Sequence, residues 1–290
     1  MAQNRPDLAV VVVDYNAGEY LTRCIGSVLS AAGDATVEIV VVDNASADGS
    51  AYAALRAHPE IRMIVNPDNR GLSVALNQGI RATSAPFLLF LNPDAEIIGG
   101  TLGGLVKVAR DRLHAAAVGV VVRNPDGTIY DSGRKIPTIT EAVVHAFLGP
   151  FRPDNRFSRA YKMADWDRAS EREVDWVSLC CMLARRSAFD EIGPFDEAFF
   201  LYGEELDLCT RFRDAGWSVI STPEMEVVHE GGVSTGRSRR MTLMHSMSIY
   251  RYFAKHRAAG WRKVLLPFAW VALRLRAELV SARQASRRSP

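Results

Sequence analysis

The chain has 290 residues, 48% of them hydrophobic and 23% charged, which is ample for a packed core in one large domain or one domain plus a small extension. Its net charge is only +2, unevenly spread, and no nucleic-acid partner is expected. Cys24, Cys180, Cys181 and Cys209 show no zinc spacing, and with no export-type apolar segment in Met1–Asp7 they read as reduced structural thiols of a cytoplasmic protein.

Strand and helix patterns alternate through the first half. Leu8–Val13 is an apolar, β-rich run, and Glu19–Leu29 repeats apolar residues at helical spacing. Val37–Val42 predicts a second buried strand, followed by a helix near Ser50–Ala57. Ile61–Val65 and Pro86–Leu91 predict further strands, with a helix near Leu72–Thr83 between them. A helix near Thr101–Arg110 and a strand near Ala117–Val122 complete this half. Alternation with interior strands means an α/β fold with a doubly wound, mostly parallel sheet.

Asn124–Gly127 is a tight turn. Residues 137–173 lack a period and read as loops and short helices over one face, suited to an acceptor-side lid. Val174–Leu183 resumes as one apolar strand, Glu205–Ala215 as a helix, and Val227–His229 as the end of the last strand. The expected organisation is a domain over 1–240, with halves at about 1–123 and 124–240, and a helical basic tail over 241–290.

That tail concentrates charge. From Arg251 onward ten Lys and Arg face only Glu278, which makes it +9 and leaves −7 for the first 250 residues. With Trp261, Phe268, Trp270 and several leucines it suits an anionic membrane surface, although Val264–Leu273 is too short to span a bilayer. The other reading is a terminal helix packed on the core.

Strand ends carry the candidate chemistry. Asp14-Tyr15-Asn16 closes the first strand, Asp43-Asn44-Ala45-Ser46 the second, and Asn92-Pro93-Asp94 follows the fourth. Carboxyl ends of strands are where wound sheets bind ligands. Asn92 and Asp94 share a face if extended and can hold a hard cation on a diphosphate; otherwise they form a turn that caps the next helix. Asp14 and Ser46 can equally be helix caps. Gly71 permits close backbone approach, and Arg70 suits phosphate oxygens. In a helix from Glu204, Glu205 shares the apolar stripe of Leu208, Cys209 and Phe212, where a partly buried carboxylate gains a raised pKa and becomes a candidate base. Asp207, four before Arg211, reads as a surface ion pair. His229 ends a strand before a glycine-rich loop and is a candidate ligand, with Ser234, Arg237, Arg239 and Arg240 suited to phosphate.

Taken in order, these landmarks resemble glycosyltransferase family 2, the inverting GT-A enzymes, from about Leu8 to His256. Asp175-Trp176-Val177, Phe195-Asp196-Glu197 and Gly203-Glu204-Glu205-Leu206-Asp207-Leu208 belong to the same set. Asn-Pro-Asp, Phe-Phe-Leu-Tyr-Gly-Glu and His-Glu-Gly-Gly are similar to the rhamnosyltransferase-type branch. The resemblance implies a GT-A (Rossmann-like) fold and a nucleotide-diphosphate sugar donor contacted by Tyr15, Asn16, Asp43, Asn44, Arg70, Gly71, Asn92 and Asp94. Asp43 would read a pyrimidine base, with Tyr15 in the base pocket. It implies Mg²⁺ or Mn²⁺ at Asp94 and His229, with Asn92 standing where the family has a first carboxylate. Glu205 stands at the catalytic base, commonly Asp, with Glu204 as its alternate, and Trp176 and Tyr202 on the acceptor side. The implied donor is dTDP-rhamnose, with UDP-hexose or UDP-galactofuranose next. The implied acceptor is a saccharide or polyprenyl-linked saccharide, met at the inner face of the plasma membrane. A non-catalytic sugar-nucleotide-binding module is the competing class. A dinucleotide oxidoreductase is disfavoured, because Asp-Tyr-Asn-Ala-Gly replaces the glycine fingerprint after the first strand.

Overall fold

The computed structural model describes residues 5–138, 141, 152, 155–233, 238–258 and 260–286. In chain order the first half runs β1 (Leu8–Asp14), α1 (Glu19–Ser30), β2 (Val37–Asp43), α2 (Ser50–Ala57), β3 (Arg62–Val65), α3 (Leu72–Arg81), β4 (Phe87–Leu91), β5 (Ala95–Gly99), α4 (Leu102–Asp111) and β6 (Ala115–Arg123). The second half adds β7 (Ile129–Tyr130), β8 (Gly133–Arg134), α5 (Arg156–Lys162), β9 (Arg172–Val174), β10 (Trp176–Val177), β11 (Cys181–Arg185), α6 (Arg186–Ile192), α7 (Glu204–Asp214) and β12 (Ser218–His229). The tail holds α8 (Arg239–His256), a 3₁₀ turn (Gly260–Leu265) and α9 (Leu266–Ser286).

Every residue of β1 is buried, so both faces of this strand must be covered. Leu8, Val10 and Val12 pack with Leu21, Cys24, Ile25 and Val28 of α1 on one face. Ala9, Val11 and Val13 pack with Ala75, Leu76 and Ile80 of α3 on the other, in a cluster that also takes Leu208, Cys209 and Phe212 of α7. The main sheet runs β3-β2-β1-β4-β11-β6-β12-β5. Along that path β11 and β5 are antiparallel to their neighbours, and the other six share one direction. The result is a mixed α/β fold with a mostly parallel sheet. Asp14 and Asp43 face each other in register at the carboxyl ends of β1 and β2.

The run expected as one strand over Val174–Leu183 is divided among β9, β10 and β11. The break at Asp175 has a cause: its carboxylate accepts the Ile136 N–H and pairs with Arg213. Of the lid expected over 137–173, α5 and its Asn155 cap are described, whereas 139–140, 142–151 and 153–154 lie outside the described residues.

The tail begins as part of the core. Tyr252 of α8 is fully buried, and its hydroxyl meets Thr210 Oγ1 of α7 at 3.0 Å. Ser248 Oγ donates to the Leu201 carbonyl at 2.8 Å. Asp207 is not a surface ion pair but is wholly buried, bonded to Arg211, Lys255 and His256 at 2.9, 2.7 and 2.7 Å. Against the opposing effect of burial, the hydrogen bonds from His256 and Lys255 and the Arg211 charge hold its carboxyl down at about 2. Among the described residues no helix is long and apolar enough to cross a membrane.

Candidate active site

The ends of β1 and β2 are tied to each other before they contact anything else. Asp14 is fully buried; its oxygens accept the Ala17 N–H at 3.2 Å and the hydroxyls of Ser50 at 2.6 Å and Ser46 at 3.2 Å. Burial pushes this carboxyl upward, and its hydrogen bonds oppose the shift. Asp43 accepts the Ser46 N–H at 2.9 Å. Asn16, at φ 54°, donates its N–H to Ser46 Oγ and accepts the Ala47 N–H. Between these anchors Tyr15 remains 36% exposed and lines a cleft of about 530 Å³.

Asn44 uses both ends of its amide. Nδ2 donates to Asn69 Oδ1 and the Gly71 carbonyl, while Oδ1 accepts from Asn66 Nδ2 and the Arg70 N–H. This fixes the Asn69-Arg70-Gly71 turn. Gly71 has φ 87°, and a Cβ there would lie 2.7 Å from the Phe200 ring and 2.8 Å from its carbonyl oxygen. That carbonyl accepts the Leu72 N–H at 2.7 Å. Only glycine lets the β2-side loop touch the Phe200–Gly203 loop so closely.

The third strand end supplies a carboxylate and an imidazole. β12 pairs antiparallel with β5, placing His229 opposite Ala95. Its Nε2 lies 3.1 Å from Asp94 Oδ1 and 3.2 Å from Asn92 Nδ2. Asp94 is 7% exposed; burial would raise its carboxyl, but the His229 bond and backbone N–H groups hold it below its ordinary value. Neighbouring ligands of an octahedral cation with ~2.1 Å bonds stand about 3 Å apart. The Asp94–His229 separation therefore fits two adjacent ligands of Mg²⁺ or Mn²⁺, with Asn92 as a third oxygen source. Among the described residues no group of three or more His, Cys, Asp and Glu is placed to hold a metal.

Across the cleft lining, α7 opens with two adjacent carboxylates after Tyr202 (φ 68°) and Gly203 (φ 85°). Glu204 is 3% exposed, and one oxygen of each glutamate is buried without a hydrogen-bond partner. Native proteins rarely leave such atoms unpaired unless a ligand supplies the partner. Burial drives both carboxyls upward, Glu204 well above its ordinary value with the Glu205 charge adding to the effect. Backbone N–H groups and the Arg134 charge draw Glu205 back down. Arg134 itself is held among the rings of Tyr130, Tyr161 and Trp176, at 5.2, 5.6 and 5.0 Å from their centroids.

Asn44, Gly71, Asn92, Asp94, Tyr202, Glu204, Glu205 and His229 thus meet at one cleft with Tyr15. Asn16, Asp43, Arg70 and Trp176 do not line it. Trp176 is 6% exposed and donates to the Lys135 carbonyl, a core position; Arg70 is exposed. Of the phosphate candidates, Ser234 and Arg237 lie outside the described residues, Arg239 pairs with Glu278, and Arg240 is exposed. Sequence reasoning missed Tyr130 and Ser178, and named Asn124 and Phe200 only as parts of a turn and a motif; all four line the cleft. The Asn124 turn was legible as a turn but carried no sign of where it points.

Comparison with known proteins agrees with this arrangement. The profile described as "Glycosyl transferase family 2" matches residues 9–193. The N-acetylglucosaminyl-diphospho-decaprenol L-rhamnosyltransferase of Mycobacterium tuberculosis is 35% identical over 97% of this chain and 95% of its own length. The rhamnosyltransferase WbbL of Escherichia coli K12 is 28% identical over 65% of this chain and 70% of its own. In fold, the mannosyltransferase PcManGT from Pyrobaculum calidifontis, solved with GDP-Man and Mn²⁺, aligns with TM-score 0.58 at 17% identity, covering 99% of this chain and 77% of that one. GalNAc-T7, solved with UDP, GalNAc and Mn²⁺, aligns with TM-score 0.59 at 16% identity, covering 87% and 50%. The sheet order, the cleft at its carboxyl edge and these relatives agree: the chain has the GT-A fold and belongs to glycosyltransferase family 2, in its rhamnosyltransferase-type branch.

Proposed function

We propose that this glycosyltransferase moves L-rhamnose from a dTDP-linked donor to a polyprenyl-diphosphate-linked saccharide, with inversion, at the inner face of the plasma membrane. The 35% identical relative, named for transfer of L-rhamnose to N-acetylglucosaminyl-diphospho-decaprenol, supports the donor and acceptor classes. The observation that carries the chemistry is the pair of buried, unpartnered oxygens on Glu204 and Glu205 at the cleft.

In this reading Glu205 takes the proton from an acceptor hydroxyl. The freed oxygen forms a bond to the anomeric carbon from the face opposite the nucleotide, and the bond to the diphosphate breaks with its electron pair leaving on phosphate oxygen. One catalytic carboxylate suffices, unlike the pair used in glycoside hydrolysis. Tyr15 stacks on the base, while Asp43 and Asn16 shape the Ser46 loop beside it. Tyr202 and Tyr130 wall the cleft near the acceptor. Asp94 and His229, with Asn92, would hold Mg²⁺ or Mn²⁺, which when bound offsets the charge of the departing diphosphate.

The test offers purified enzyme dTDP-rhamnose, UDP-hexoses and UDP-galactofuranose with a short-chain polyprenyl-diphosphate N-acetylglucosamine. Transfer from dTDP-rhamnose with an inverted linkage is expected. In Glu205→Gln, donor binding should persist while turnover drops ~10²–10⁴-fold. Transfer from a UDP sugar alone would replace the donor, a retained linkage would reject the displacement, and near-normal turnover in the variant would reject the base.

A further inference from the structure

Helix α9 carries a surface that no step of sugar transfer uses. Leu273 and Ala277, one turn apart, are buried where α9 folds back on α8. Phe268, Val271 and Leu275 are 74%, 49% and 60% exposed. At ~100° per residue the exposed three fall within about 60° of one another, on the side of the helix turned away from the buried pair. Val264, in the preceding 3₁₀ turn, is 65% exposed. The helix is therefore apolar on two opposed faces, one packed and one open to water.

Exposed Lys263 and Arg274 accompany the open face. From residue 251 onward the sequence holds ten Lys and Arg against Glu278 alone; of these Lys255 pairs with Asp196 and Asp207 of the core, and Glu278 is paired with Arg239. A second copy of this chain would bring an equally basic tail against the first, so charge opposes self-pairing. An anionic lipid surface answers both properties, taking up apolar side chains and attracting the cations around them.

We infer that the Phe268–Val271–Leu275 face of α9 lies flat on an anionic bilayer. The inference stands on this patch and extends the lipid-linked acceptor reading, on which it rests only for its purpose. The test sediments the full chain with vesicles of phosphatidylglycerol and phosphatidylcholine, and separately with phosphatidylcholine alone. Binding should need the anionic lipid, weaken with salt, and fall at least tenfold in the double variant Phe268→Ser, Leu275→Ser. It should also fall in Lys263→Glu, Arg274→Glu, which leaves the apolar residues in place. Turnover on a water-soluble acceptor should stay unchanged in both variants; a donor or acceptor of another class would alter that assay and leave sedimentation untouched. Equal binding to both vesicle types, binding that survives both variants, or variants that lose only self-association on a sizing column would overturn the inference.

Discussion

His229 Nε2 and Asp94 Oδ1 stand 3.1 Å apart although 135 residues separate them in the chain. The pairing of β5 with β12 produces this meeting, since it sets His229 beside Ala95. A cation on the donor diphosphate would bind there, so manganese should increase the thermal stability that dTDP confers on the enzyme. In Asp94→Asn and His229→Ala that manganese-dependent gain should disappear, with metal affinity down at least ~10-fold. Asn92→Asp should strengthen it by adding a second carboxylate. A full manganese response in Asp94→Asn would place the cation elsewhere.

Burial raises the Glu205 carboxyl, and a base must be deprotonated to act. Turnover should therefore fall as pH drops through that raised value, giving an acidic limb above the ordinary glutamate range. Arg134 favours the charged form, so Arg134→Gln should move the limb to higher pH. A pH profile of kcat/KM reads this directly, and an unmoved limb would mean that Arg134 only packs against its rings.

Glu204 predicts the opposite balance for stability. The folded state holds this buried carboxyl protonated above the pH where the unfolded chain releases its proton, so stability declines as pH rises through that window. Glu204→Gln keeps the shape and removes the titration. Its melting temperature should exceed that of the parent at pH 8, with the difference vanishing toward pH 4.

Asp207 works the other way. Its carboxyl sits at about 2 when folded against an ordinary value of 3.8, so it stabilises the fold by about 2–3 kcal/mol above pH 5. That contribution is lost as pH falls from 4 through 2. Asp207→Asn should lower stability at pH 7 by a similar amount in urea unfolding, and the gap to wild type should close in acid.

Gly71→Ala should cost about 1–3 kcal/mol, because the added methyl meets the Phe200 carbonyl in a backbone region that L-residues avoid. Donor KM should rise with it, since the same turn borders the cleft. A variant with unchanged melting temperature and KM would show that the two loops part freely.

The sheet was legible where strands are buried on both faces. Leu8–Asp14, Val37–Asp43 and Phe87–Leu91 are built on the apolar runs Leu8–Val13, Ile39–Val42 and Phe87–Leu91 and ended within a residue or so of expectation. What escaped, Ala95–Gly99 and all of Ser218–His229 except its expected end at Val227–His229, was built from weaker patterns. Ala95–Gly99 is a half-buried edge strand, and Ser218–His229 is interrupted by Pro223 and irregular between Ser221 and Glu226. In the site, Asp94, His229 and Glu205 were readable as chemical groups at element ends. Asn44 and Asn16 were expected to contact the donor; Asn44 lines the cleft and Asn16 does not, and the amides of both hold the loops in shape. Tyr130 reached the cleft through the two-residue strand β7, too short to leave any periodic trace.

Ser248 beneath Leu201, His245 against Tyr202 and Tyr252 against Thr210 give α8 a hold on the peptide that presents the acid pair. A shortened enzyme ending before Arg239 would lose that footing, leaving Glu204 and Glu205 on an unsupported turn. Pressure felt by the far end of the chain thus has a mechanical route, through α8, to the start of the helix that carries Glu204 and Glu205.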